Sequence, residues 1–257
     1  LGSKSTALGY SALGVQNFTT ATDSFNVAVG HEAGASVTTG IKNTIIGGLA
    51  GDAITTGANN VVLGFEALST NTASNGNVAV GYEVLETFNV TSDTSHFNTA
   101  VGTQAGKALT TGTDNTLIGG LAGDALTTGG NNTAVGKQAL SADTKGGTSV
   151  AIGQLALGAQ NFTTATDNYN VAVGYSAGVG VTTGTFNTLI GGLSGDALTD
   201  ADQNVAIGYV SLTSDTLGSH SVAVGPSALF SQNFTTATTS YNTAVGSAAG
   251  GAISTGV

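Results

Sequence analysis

Apolar positions arrive in short bursts, each opened by asparagine or serine and closed by glycine. Asn26-Val27-Ala28-Val29-Gly30 is one, and Asn132-Thr133-Ala134-Val135-Gly136 is another. The closing residues are Gly9, Gly30, Gly47, Gly64, Gly81, Gly102, Gly119, Gly136, Gly153, Gly174, Gly191, Gly208, Gly225 and Gly246. Their spacings run 21, 17, 17, 17, three times over, then a last 21, so the pattern closes into a 72-residue superperiod. Repetition of this kind marks a chain in which each unit stacks on the next. The bursts are β-branched with period two, and glycine recurs too often for a helix to survive. A typical unit holds two apolar stretches separated by Gly, Asn and Thr corners, which predicts strand-turn-strand-turn. Parallel stacking would advance the coil ~4.8 Å per turn. The expected fold is an all-β parallel β-solenoid (β-roll) of about 14 turns, with 17-residue turns and a 21-residue turn every fourth. Residues 1–257 read as one continuous β-solenoid repeat region, a piece of something longer.

The anchor strand has two apolar faces. Val27 and Val29 share one side and Ala28 takes the other. A strand apolar on both faces is usually buried on both. One face therefore lines the coil and the second is expected to pack on another chain. The competing reading is a flattened single coil whose alanines face solvent. Asparagine recurs at the corner before the strand, as Asn26, Asn43, Asn60, Asn77, Asn98, Asn115, Asn132, Asn170, Asn187, Asn204 and Asn242, with Ser149 and Ser221 in two gaps. Stacked asparagines can hydrogen-bond along a column and fix register, a structural role. The closing glycines are expected to permit a corner that a β-carbon would block.

Composition narrows the function. Charged residues make up 8%, against about 25% in ordinary soluble domains. The net charge is −10, with five lysines and no arginine, so no cationic surface is available for nucleic acid. No apolar run approaches the ~20 residues of a spanning helix, so no membrane insertion is expected in this segment. With no cysteine there can be no disulfide, zinc–thiolate site or thiol nucleophile.

The 21-residue turns are the best candidates for specific contact. Each has four extra residues expected to bulge outward, with a tip holding Asn17 and Phe18, Asn89, Asn161 and Phe162, or Asn233 and Phe234. These are the candidate ligand-binding residues, with the first aromatic exposed. Val90 replaces it in the second copy, and Phe25, Phe97, Tyr169 and Tyr241 follow as coil caps. Calcium at Asp52, Asp124 and Asp196 is disfavoured, because the three lie one superperiod apart and give one carboxylate per site. His31, His96 and His220 occupy unrelated repeat positions and read as solvated side chains. Neither catalysis nor a metal or other cofactor is expected. Threonine pairs such as Thr38-Thr39 and Thr55-Thr56 could order water, but that ladder is interrupted.

Asn132-Thr133-Ala134-Val135-Gly136, Ala139-Leu140 and Thr127-Thr128-Gly129 carry a resemblance that covers essentially the whole chain. The pattern resembles the fibre repeats of phage tail fibres with a C-terminal intramolecular chaperone. It is also similar to the head repeats of trimeric autotransporter adhesins. The resemblance implies an extracellular, homotrimeric, structural and adhesive fibre segment that binds copies of itself and carries surfaces for a glycan or protein receptor. The alternative is a self-assembling extracellular filament or matrix protein.

Overall fold

Fourteen three-residue strands supply the regular structure of the computed structural model, which describes residues 2–92 and 94–256. The described residues contain strands and turns and no helix. The chain divides into two compact units, Leu1–Thr128 and Gly129–Val257. In the first, Thr6–Leu8, Val27–Val29, Thr44–Ile46, Val61–Leu63, Val78–Val80, Thr99–Val101 and Thr116–Ile118 pair in that order, all parallel. In the second, Thr133–Val135, Val150–Ile152, Val171–Val173, Thr188–Ile190, Val205–Ile207, Val222–Val224 and Thr243–Val245 do the same. Val27 pairs with Thr44 across a turn of the shorter kind, and Thr6 with Val27 across one of the longer kind. The fold is an all-β parallel β-solenoid of about 14 turns, with the 17-residue turn as its usual unit.

Glycine ends each strand for a steric reason. Gly30 has φ +137° and Gly64 φ +138°. A β-carbon on Gly64 would lie 2.1 Å from the carbonyl oxygen of Gly81 on the next turn, and one on Gly30 would lie 2.5 Å from that of Gly47. Backbones of adjacent turns touch here, so only glycine fits.

The second apolar stretch forms tight turns, not the expected strand. Glu32 and Gly34 take φ of 56° and 58°, and Leu49 and Gly51 take 56° and 50°. Left-handed residues at alternate positions curl the chain into successive turns closed by Ala35 N–H to Glu32 C=O at 3.1 Å and Val37 N–H to Gly34 C=O at 3.0 Å. Neighbouring coils still bond there, with Gly34 N–H donating to Ala50 C=O at 2.9 Å. Leucine adopts the same conformation where glycine is missing, as at Leu68 and Leu85, both at φ 50°. An L-residue is strained in that region, and burial of the leucine side chain offsets it. Leu68 and Leu85 are fully buried.

The interior is narrow. The middle strand residue points inward: Ala28, Ile45, Val62, Ala79, Ala100 and Leu117 are all fully buried, as are Ala33, Ala50 and Ala67 across the coil. Val27 and Val29 lie on the outer side and are half-buried. The reading with alanines in solvent is therefore overturned, because the thin coil leaves room for little more than a methyl group in many turns. Where the middle residue is large, its neighbours shrink. A β-carbon on Gly106 would lie 2.7 Å from Leu117 Cδ1 and 2.9 Å from Leu85 Cδ2. Adjacent turns interlock by size.

Asparagine closes the corner. Asn60 Nδ2 donates to Ser74 C=O at 3.0 Å within its own turn, while its Oδ1 accepts from Asn77 N–H of the next turn at 2.9 Å. Asn26 and Asn43 repeat the arrangement, with Asn43 N–H donating to Asn26 Oδ1 at 2.9 Å and Asn60 N–H to Asn43 Oδ1 at 3.0 Å. Asn115 N–H donates to Asn98 Oδ1 at 3.0 Å. In the second unit, Asn187 N–H donates to Asn170 Oδ1 at 2.9 Å and Asn204 N–H to Asn187 Oδ1 at 3.0 Å. Ser149 and Ser221 occupy gaps in the column, donating their amides to Asn132 and Asn204. Asn242 Nδ2 reaches Gly256 C=O at 2.7 Å.

Asn60→Ala strands the buried Asn77 amide, worth ~1–3 kcal/mol when unpaired, and leaves the Ser74 carbonyl with Asn71 Nδ2 alone, at 3.3 Å. The expected outcome is faster hydrogen exchange at the Asn77 amide and a lower urea midpoint, while Thr56→Ala, whose side chain is exposed, leaves both near wild type.

Candidate functional site

The 21-residue turns do not carry their first aromatic at the tip. Phe18, Phe162 and Phe234 are only 6%, 7% and 6% exposed. Their four extra residues form a second short ladder: Thr22–Asp23 pairs with Gly2–Ser3, Thr166–Asp167 with Gly146–Gly147, and Thr238–Thr239 with Gly218–Ser219. The phenylalanine folds over the glycine strand beneath it, so that a β-carbon on Gly218 would lie 2.7 Å from Phe234 Cδ2. The tips are residues 163–165 and 235–237, all exposed. Asn17 and Asn161 are exposed, Asn161 accepting from Thr144 Oγ1 at 3.0 Å, and Asn233 accepts from Thr216 Oγ1 at 3.3 Å. In the second copy, exposed Asn89 accepts from Thr72 Oγ1 at 3.0 Å. The later aromatics, expected as caps, are the outward ones: Phe25, Phe97, Tyr169 and Tyr241 are 48%, 62%, 52% and 72% exposed.

Beneath two of these loops lies a buried polar cluster that sequence reasoning missed. Asp143 is fully buried and accepts from Gly146 N–H at 2.9 Å, Phe162 N–H at 3.1 Å and Gln160 Nε2 at 2.6 Å. Gln160 also donates to Ser149 Oγ and accepts from Asn170 Nδ2. Asp215, Gln232, Ser221 and Ser240 repeat the arrangement. Three N–H donors per carboxylate satisfy the charge in a place with no solvent. A signal was present: positions 143, 160, 215 and 232, with Gln16 and Asn71, are polar in a column where Val37, Ile54, Phe88, Leu109, Leu126, Val181 and Leu198 are apolar. His96, expected in solvent, is 7% exposed in the corresponding corner of the second copy. Its Nδ1 lies 2.8 Å from Ser74 Oγ, its Nε2 3.1 Å from Thr94 Oγ1, and its ring edge on Phe88.

The surface is dominated by the outward side of the strands. Val27 and Val29 lie between Phe25 and His31, and the same register positions recur on every turn. Of the 20 large hydrophobic residues exposed among the described residues, only Val15, Phe230 and Ile253 lie off these positions, so 20 − 3 = 17 belong to one face per unit. Rings stack along it: Tyr10 on His31 at 5.4 Å, Phe65 on Tyr82 at 6.0 Å, and Tyr169 on Phe186 at 5.4 Å. Contiguous apolar surface of this kind marks a binding face.

One charged group sits beside that face. Lys107 bonds Glu83 and lies 3.1 Å from Glu86, and Gln104 Nε2 donates to Glu83 at 2.9 Å. The Lys107 ammonium holds the Glu83 carboxyl down at about 2, and the paired carboxylates, Glu83 first, raise Lys107 to about 12. Burial pushes the Asp52 and Asp124 carboxyls up. Among the described residues no group of three or more His, Asp or Glu is placed to hold a metal ion. The first threonine of each pair is engaged, with Thr38 Oγ1 donating to Thr55 C=O at 3.1 Å and Thr55 Oγ1 to Thr72 C=O at 2.9 Å.

No protein-family profile, no curated protein and no solved structure matches the chain. Its class is set by the fold: a β-solenoid repeat protein, with an apolar aromatic-edged strand face as its candidate functional surface.

Because Glu83 falls from 4.5 to about 2, its ion pair stabilises fully above pH ~4.5 and is lost as pH falls through ~2. Lys107 rises from 10.5 to about 12, so its share is complete below pH ~10.5 and lost as pH rises through ~12. NMR titration of Lys107→Met is expected to show Glu83 moving back toward the ordinary carboxylate range. Asp143→Asn sets an amide N–H₂ against Gln160 Nε2 or a peptide N–H, and a loss of ~1–3 kcal/mol is expected in urea melts.

Proposed function

We propose that this chain is a non-enzymatic structural and adhesive segment of an extracellular fibre, assembled with copies of itself as a homotrimer. The observation that carries the reading is the outward strand face. It gathers 17 of the 20 large hydrophobic residues exposed among the described residues, on a chain strongly acidic at −10. A monomer gains nothing by displaying such a surface to water, whereas an assembly buries it. The 72-residue repeat read from the sequence adds a second element. It returns the exposed loop tips at regular intervals, and these are the surface offered to a glycan or protein receptor. The resemblance to phage tail-fibre and autotransporter head repeats supports the same reading.

Native mass spectrometry tests it. A discrete species of three chains is expected. An open ladder of masses favours a self-assembling filament or matrix, and a monomer at micromolar concentration overturns self-association. For adhesion, replacing Thr163, Thr164, Thr235 and Thr236 with glycine is expected to reduce cell or glycan retention while leaving the assembly mass unchanged.

A further inference from the structure

Five asparagines stand two residues before a threonine: Asn17, Asn89, Asn131, Asn161 and Asn233. No other asparagine precedes threonine or serine at that distance. Asn-x-Thr without proline between is the acceptor pattern for N-linked glycosylation, in which the side-chain amide takes the sugar. Four of the five, Asn17, Asn89, Asn161 and Asn233, fall in the 21-residue turns, one per 72-residue superperiod. A pattern this short also arises by accident, so geometry has to separate an acceptor from a coincidence.

In these turns the asparagine has a structural duty and the threonine has none. Asn89, Asn161 and Asn233 each accept through Oδ1 from a threonine hydroxyl of the preceding turn, at 3.0, 3.0 and 3.3 Å. Their Nδ2 groups form no hydrogen bond among the described residues, and Asn17, Asn89 and Asn161 are exposed, with Asn233 half-buried. Thr19, Thr91, Thr163 and Thr235 are all exposed, and among the described residues none of their hydroxyls is bonded. The second copy is decisive because its loop has changed. Val90, Ser92 and Ser95 stand where the first copy has Phe18, Thr20 and Asp23, yet Asn89, Thr91, Thr94 and Phe97 match Asn17, Thr19, Thr22 and Phe25. Thr94 Oγ1 lies 3.1 Å from His96 Nε2, and the Phe97 ring covers Gly76, where a β-carbon would lie 3.2 Å from it. Only Thr91 is kept while exposed and unbonded.

Asn131 differs. Its threonine, Thr133, opens the strand Thr133–Val135 and donates its N–H to Ser149 C=O at 2.9 Å. A transferase has to bend the acceptor segment into its own cleft, which a surface loop permits and the strand ladder resists.

We propose that the long turns are N-linked glycosylation sites, with Asn17, Asn89, Asn161 and Asn233 as acceptors. Each Nδ2 attacks C1 of a diphosphate-activated sugar. The N–C1 bond forms, the C1–O bond to phosphate breaks, the diphosphate leaves with the electron pair, and one amide proton passes to the transferase. Within each unit the two glycans stand four turns apart, roughly 19 Å, off the outward strand face. They supply hydration to a chain with only 8% charged residues. The inference rests on the extracellular part of the reading above and makes the loop tips carriers of sugar.

Glycopeptide mass spectrometry of the full chain, isolated from the cells that produce it, tests this. Sugar is expected on Asn17, Asn89, Asn161 and Asn233, with occupancy several-fold lower at Asn131; a single sugar or a preassembled oligosaccharide equally supports it. Thr163→Ala/Thr235→Ala, made in the same cells, is expected to empty Asn161 and Asn233 with an unchanged urea midpoint, whereas Thr163→Ser/Thr235→Ser keeps them occupied. Four bare asparagines, equal occupancy at Asn131, or sugar persisting in the alanine variant overturns the proposal. A bare chain with the expected assembly mass leaves the fibre reading standing, and a glycosylated monomer overturns self-association alone.

Discussion

The transfer of hydrogen bonds from one turn to the next is the interaction on which everything else depends. A three-residue strand has no stability of its own, since its amides and carbonyls point along the stacking direction and find partners only on neighbouring coils. The asparagine column joins this ladder at its weakest place, the corner. Each side chain there ties down its own turn through the amide nitrogen and receives the next turn through the oxygen. A corner carbonyl that would otherwise be buried and unpaired is satisfied, and the strand that follows begins at a fixed azimuth. Stability of such an array is close to a sum of nearest-neighbour terms, so each corner counts locally.

Backbone strain and core packing follow from that pairing. Holding successive coils at hydrogen-bonding distance presses the closing glycines against one another and forces left-handed backbone at Glu32, Leu49, Leu68 and their equivalents. Strain of that order is tolerated where surrounding contacts over-determine the conformation. Here a buried leucine or a cross-coil hydrogen bond accompanies each such residue. The coil is consequently thin, its core is made of alanine and single large side chains, and half of each strand's apolar surface is left outside. The outward face is thus a geometric consequence of a narrow coil built from strands apolar on both sides.

Much of this is legible in the residues. Spacing alone yields the turn length, because a glycine needed every 17 or 21 positions leaves a visible period. The asparagine column is legible for the same reason. The second apolar stretch reads as a strand because Glu32, Leu49 and Leu68 carry no turn propensity; their left-handed backbone is imposed by the coil. Phe18, Phe162 and Phe234 read as tips because a threonine-rich insertion looks like a free loop, and its pairing with a glycine strand on the preceding turn is a long-range fact. His96 looks solvated because no local signal links it to Ser74, 22 residues away.

The alternation of apolar and polar interior turns has a consequence for how such a chain finds its own fold. Nearly identical coils could misthread, with one turn skipped and every later strand paired one step late at little cost in backbone hydrogen bonds. The buried Asp143–Gln160 and Asp215–Gln232 pairs penalise that error, because a slipped carboxylate would keep the local Gly146 or Gly218 N–H but lose both donors from the next turn. They act as index marks on an otherwise uniform ratchet, giving up some core hydrophobicity in return for a single reading frame.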